Sequence, residues 1–106
     1  MFGQYRVEDS GSLRAKAQEL RANAIRLRIE AADVFCDVVE NAIRWQTRER
    51  AERSLQMVHR ALAEIRRHLG EPHHVAPQAA AELSNMLPEV EVKARRLERR
   101  LHARYD

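Results

Sequence analysis

Apolar residues recur along the first half of the chain in alternating steps of four and three residues, the spacing of one helix face. This pattern, called stripe A below, runs to Trp45, and a second pattern begins at Ala51 in a register shifted by three residues. A helix that packs along its length keeps one register, so the shift predicts a turn just after Trp45, with one locally overwound helix as the alternative. Stripe A comprises Leu13, Ala17, Leu20, Ala24, Leu27, Ala31, Val34, Val38 and Trp45; the second pattern comprises Ala51, Leu55, Val58, Leu62, Ile65 and Leu69.

Capping signals divide the remaining chain into helices. Thr47 can cap a helix that ends at Leu69, before Gly70, and Pro77 suits the first turn of another. The third apolar pattern keeps its register across Pro88. We therefore predict an all-α antiparallel three-helix bundle, a single domain over 12–106 behind a flexible arm over 1–11, with the third helix kinked or split at Pro88. The third pattern comprises Leu83, Leu87, Val90, Ala94, Leu97 and Leu101.

The first helix, predicted over about 13–45, carries another apolar stripe roughly 135° away from stripe A. This stripe B comprises Ile25, Ile29, Ala32, Cys36, Val39 and Ile43. A helix that is apolar around most of its circumference needs neighbours on several sides. We expect stripe A to face the other helices of the bundle. We expect stripe B, through Ile25, Ile29, Cys36, Val39 and Ile43, to contact another chain, either in a coiled-coil homodimer or with a different protein.

Four acids, Glu30, Asp33, Asp37 and Glu40, lie on one face of the same helix. Carboxylates at these spacings can hold metal ions, but Arg26 and Arg44 lie one helical turn beyond the two ends of the row. We interpret the row as a solvated, ion-paired face, with protein docking as an alternative. We assign no metal ligands, and the sequence leaves open whether the row binds a metal ion. His68, His73 and His74 cluster around one predicted loop, and the sequence leaves open whether they bind a metal ion.

Basic residues are concentrated near the end of the chain, where Arg95, Arg96, Arg99, Arg100 and Arg104 are candidate phosphate contacts. Together with Arg48, Arg50 and Arg53, they support an alternative function as a small nucleic-acid-binding regulator. Cations near a helix C-terminus also complement the helix dipole, and no aromatic residues alternate with these arginines for base stacking.

Composition adds few constraints on function. The chain of 106 residues holds one cysteine and has a net charge of +3; 17 of its 19 basic residues are arginine, typical of a GC-rich bacterial genome. No catalytic arrangement, cofactor motif, signal peptide or membrane span is evident, so we expect a cytoplasmic protein without a small-molecule substrate. The function that we predict is a non-enzymatic interaction or regulatory module.

Overall fold

The structure is a computed structural model that describes the backbone of residues 2–105 and the side chains of residues 11–105. Over these residues it consists of three α-helices. They are α1 (Phe2–Ala42), α2 (Arg48–Gly70) and α3 (Pro77–Tyr105), and each packs against the other two. The all-helical prediction is confirmed. Over the described residues, none of the helices combines the length and the apolar character that crossing a bilayer requires.

The core is formed by one apolar face from each helix. α2 and α3 contribute the faces that the sequence predicts: their patterns are buried from Ala51 to Ile65 and from Leu83 to Leu101. α1 contributes stripe B. The core has two halves, the first around Ile29 and the second around Val39, and the half-buried Phe35 contacts both. The predicted orientation of α1 is therefore wrong, because stripe B and not stripe A faces the other helices.

The break in register after Trp45 coincides with the end of α1. Ile43–Trp45 form one turn of 3-10 helix, and Gln46 is extended. The Thr47 hydroxyl then accepts a hydrogen bond from the Arg50 backbone N–H at 3.3 Å, which starts α2. Since α1 and α2 are separate helices in contact, the alternative of one continuous overwound helix is wrong.

Pro88 lies inside α3 without dividing it, so the split-helix alternative is wrong. Leu87 and Val90 are both buried, whereas Pro88 and Ser84 are exposed. A proline removes the hydrogen bond to the carbonyl four residues earlier, here that of Ser84, which lies on the solvent side of the helix. α3 therefore continues through Pro88 with its apolar register intact.

α1 is longer at its N-terminus than the sequence predicts. It begins at Phe2 rather than near residue 13. The side chains of 2–10 lie outside the described residues, and the flexibility predicted for 1–11 remains a prediction. No residue from 11 to 24 is buried. Gln18 donates a hydrogen bond to the His73 carbonyl, so α1 meets the α2–α3 loop near this residue.

Candidate interaction surface

Stripe A lies on the surface of the chain. Its larger side chains are between 55% and 85% exposed, with Trp45 at the upper limit and Val38 at the lower. Stripe A therefore forms an apolar face that runs the described length of α1 without cover from α2 or α3. Monomeric proteins seldom expose a continuous apolar surface of this extent unless it contacts a partner. The exposed members are Leu13, Leu20, Leu27, Val34, Val38 and Trp45.

Stripe B, which the sequence analysis assigns to contact with another chain, is covered by the chain's own helices. Ile25, Ile29, Cys36 and Val39 are each at most 2% exposed, and Ile43 is half-buried against the second half of the core. This interface assignment must be corrected, because side chains buried between α1, α2 and α3 are not accessible to a partner. The surface available to another chain lies on the opposite side of the same helix.

A shallow groove of about 410 Å³ between α1 and α2 widens the apolar surface. Met57 of α2 is 60% exposed beside this groove, and Ala31 of stripe A contributes to its wall. Met57 lies outside the apolar pattern predicted for α2 and was not among the predicted contact residues, although its position as an apolar residue outside the buried face was a usable signal. The groove is lined by Arg28, Ala31, Ala32, Phe35, Met57, Val58, Ala61 and Glu64.

The acidic face of α1 is engaged by basic residues of α3. Lys93 Nζ lies 2.9 Å from Asp33 Oδ1 and 2.9 Å from Asp37 Oδ2. Glu40, with its side chain only 11% exposed, accepts a hydrogen bond from Arg96 Nη2 at 3.2 Å, and its other carboxylate oxygen forms an ion pair with Arg100 Nη1 at 2.9 Å.

The predicted ion pairing is thus present for three of the four acids, but between helices rather than along α1. Arg26 instead lies 3.8 Å from Glu82, and Glu30 is exposed. These ion pairs fix α3 against the edge of stripe B.

Two pKa values reflect this arrangement. Hydrogen bonds to Asp33 and Asp37 raise the pKa of Lys93, so its ammonium is held in the charged form. Burial raises the pKa of the Cys36 thiol, and the negative charges of Asp33 and Asp37 raise it further. Cys36 is fully buried, so its thiol is held in the protonated, unreactive form.

The candidate phosphate contacts on α3 are divided between two environments. Arg96 and Arg100 are paired with Glu40, and Arg104 donates a hydrogen bond to the Arg44 carbonyl at 3.1 Å. Arg95 and Arg99 are exposed. Of the arginines at the start of α2, Arg48 pairs with Glu52, whereas Arg50 and Arg53 are exposed. A phosphate backbone would therefore compete with a carboxylate for two of the five C-terminal arginines.

The three histidines near the α2–α3 loop also fall into two groups. His68 and His74 meet beside Glu71 where α2 leads into the loop, whereas His73 is exposed. All three histidines lie within seven positions of the sequence, so the sequence alone does not show that His73 points away from the other two. The loop conformation determines this.

Comparison of the chain with models of protein families, with curated proteins and with solved structures found no match.

Proposed function

We propose that this chain is a non-enzymatic interaction module that self-associates through stripe A on α1. The observation that carries the proposal is the exposure of this stripe, with its leucines about two-thirds exposed, on a helix whose opposite face already completes the core. Burial of apolar surface is the main driving force of protein association. The module needs no chemistry of its own, since its task is to hold another helix.

We infer that consecutive helices in the bundle run antiparallel. Two contacts between α2 and α3 support this direction: Arg66 pairs with Glu91, and His59 lies 3.9 Å from Glu98. Residue numbers rise along α3 as they fall along α2. This arrangement covers stripe B from two sides and leaves stripe A on the outer surface of the bundle.

The dimensions of stripe A fit a second copy of α1. The stripe is about 48 Å long at 1.5 Å per residue and about 10 Å wide, so two copies would bury about 960 Å² together. This area is just below the roughly 1,000 Å² that a specific interface is expected to exceed, the range of weak or transient association. The estimate predicts a reversible dimer rather than an obligate one.

The alternation of small and large side chains also supports pairing between copies. In an antiparallel alignment that overlaps both stripes completely, Ala31 of one copy lies opposite Leu27 of the other. The same alignment places Ala24 opposite Val34, whereas at the two ends Trp45 lies opposite Leu13. Small residues opposite large ones allow two helices to approach closely and interdigitate their side chains.

The flanks of this alignment predict how salt affects the dimer. In an antiparallel pair the same flank of each helix meets at the edge of the interface. Arg28 would therefore lie beside Arg28 of the second copy along one edge, and Glu30 beside Glu30 along the other. Like charges repel across an interface, and salt screens the repulsion. Self-association should therefore strengthen as salt is raised, whereas nucleic-acid binding, the alternative function, weakens steeply.

Sedimentation equilibrium of the full chain between about 1 and 100 µM tests the proposal in the range of weak specific association. We expect a concentration-dependent dimer for the wild type and a folded monomer for Leu27→Glu. Val92→Glu is the matched control, because Val92 is an exposed apolar residue outside stripe A, and it should dimerise like the wild type. A wild-type monomer at the highest concentration would refute self-association, and loss of the dimer in both variants would remove stripe A as its cause.

A further inference from the structure

Three potential metal ligands converge where α2 ends and the loop to α3 begins. The ligand atoms of His68, Glu71 and His74 all lie within 4.8 Å of one another. His74 Nδ1 is 3.3 Å from one carboxylate oxygen of Glu71, and His68 Nδ1 is 3.8 Å from the other. We propose that this cluster binds one divalent transition-metal ion, with Zn²⁺ as the expected ion. The proposal is independent of stripe A and of self-association.

The donor set determines the class of metal. Two imidazole nitrogens and one carboxylate oxygen suit Zn²⁺, Co²⁺ and Ni²⁺, whereas Mg²⁺ and Ca²⁺ prefer ligands that are all oxygen. Ligands bound tetrahedrally at about 2.0–2.2 Å from a zinc ion lie roughly 3.3–3.6 Å from one another. His74 Nδ1 and one carboxylate oxygen of Glu71 already have this spacing. His68 Nδ1 lies 3.8 Å from the other oxygen, so the carboxylate must turn for one oxygen to serve as the ligand between the two imidazoles.

At least one of the two imidazole rings must rotate before both can bind the same ion. They are stacked with centroids 4.9 Å apart and planes inclined by 21°. A metal ion lies in the plane of each ring that binds it, and two stacked planes do not meet between the rings. Rotation about χ2 of His74 is the expected adjustment, since this torsion is broad in histidine.

The protein environment supports a cation at this point. His68 Nδ1 is shielded from solvent and has no hydrogen-bond partner, so a metal ion would satisfy a nitrogen that is otherwise unpaired. The cluster also lies at the C-terminus of α2, where the partial negative charge of the helix dipole favours cations.

The backbone of the loop is held in place around the cluster. Arg21 Nε donates to the His74 carbonyl at 2.7 Å, and the Glu71 N–H donates to the His68 carbonyl at 3.3 Å. His73 adopts a left-handed conformation with φ of 61° between the two ends of the loop. A bound ion would therefore connect the end of α2 to a loop that α1 already holds.

Three protein ligands leave at least one coordination position for water. The positive charge of Arg21, anchored on His74, opposes the cation and favours reversible binding. An open position is also the arrangement in which a zinc ion can accept a ligand from another molecule.

Isothermal titration calorimetry of the untagged full chain with zinc chloride tests the site. We expect one ion per chain. Glu71→Gln and His74→Ala should each weaken binding by at least about tenfold, because the first replaces an anionic carboxylate ligand with a neutral amide and the second removes an imidazole. His73→Asn is the matched control: it removes a neighbouring imidazole outside the cluster, and asparagine tolerates the left-handed backbone. Its affinity should stay within about twofold of the wild type.

Two results would overturn the proposal. The first is the absence of saturable zinc binding by the wild type. The second is an equal loss of affinity in His73→Asn and in the ligand variants, which would indicate diffuse binding to loop histidines. Circular dichroism identifies any variant that fails to fold, and Glu71→Gln carries the test if His74→Ala does not fold, since the Glu71 side chain is 45% exposed. Titration with Mg²⁺ should show no binding at the cluster.

Discussion

Ile29 and Leu27 lie two residues apart on α1 and have similar volumes, but the structure gives them opposite environments. Ile29 is 1% exposed in stripe B, and Leu27 is 66% exposed in stripe A. Ile29→Ala removes three buried carbon groups, worth about 2.4 kcal/mol at 0.8 kcal/mol each. The cavity left behind adds about 1 kcal/mol. The higher helix propensity of alanine returns about 0.4 kcal/mol, so the net loss of unfolding free energy is about 3 kcal/mol.

Leu27→Ala should change the unfolding free energy by less than about 0.5 kcal/mol, the usual range for surface substitutions. Urea unfolding followed by far-UV circular dichroism measures both values, at a protein concentration low enough for the chain to be monomeric. The midpoint should shift for Ile29→Ala and remain near the wild type for Leu27→Ala, with equal slopes. A large loss for Leu27→Ala together with a small loss for Ile29→Ala would refute the orientation of α1 on which the proposed function depends.

Three further predictions concern the interface between α1 and α3. Glu40→Gln should lower the free energy of unfolding, measured with urea, by about 1.5 kcal/mol. This is the low end for hydrogen bonds to charged groups, because both arginine partners are half-exposed. Glu30→Gln, at an exposed position, should lower it by less than about 0.5 kcal/mol. Equal costs would contradict the burial of Glu40. Cys36 should react with iodoacetamide only as fast as the chain opens, since burial keeps its thiol protonated; rapid labelling under native conditions would place it outside the core. Lys93→Met should destabilise the chain at neutral pH because it leaves two unpaired aspartates. The raised pKa of Lys93 means that this contribution is complete below the unfolded-state pKa of about 10.4 and is lost as pH rises above it, so the wild-type and variant stabilities should converge only in strong alkali.

The helices, the turn after Trp45 and the buried faces of α2 and α3 could be predicted from the sequence because each depends on local spacing or capping. The orientation of α1 could not be decided in this way, since stripes A and B have the same period. Two signals favoured stripe B. Stripe A contains alanine at alternate positions, such as Ala24 and Ala31, and therefore has less apolar volume to bury than Ile25 and Ile29.

Charge was the second signal. Asp33, Asp37 and Glu40 border stripe B on α1, and the basic residues of α3 border the apolar pattern of α3. The opposite charges therefore meet only when stripe B faces α3. The cluster of His68, Glu71 and His74 was harder to predict. It depends on the left-handed backbone of His73, which is uncommon for a residue other than glycine and which no local pattern signals.

The two faces of α1 use charge in opposite ways, and this difference links the fold to the proposed function. Along stripe B, acids of α1 meet cations of α3, which fixes one orientation of the helix within its own chain. Along stripe A, Arg14, Arg21 and Arg28 follow one flank at seven-residue intervals, and two copies would bring part of this row together. Burial of apolar surface favours the dimer, and repulsion between like charges opposes it. The net free energy of dimerisation is therefore small and depends on ionic strength. The same flank would attract a partner helix bordered by acidic residues, because the repulsion between arginines would then be replaced by attraction between opposite charges.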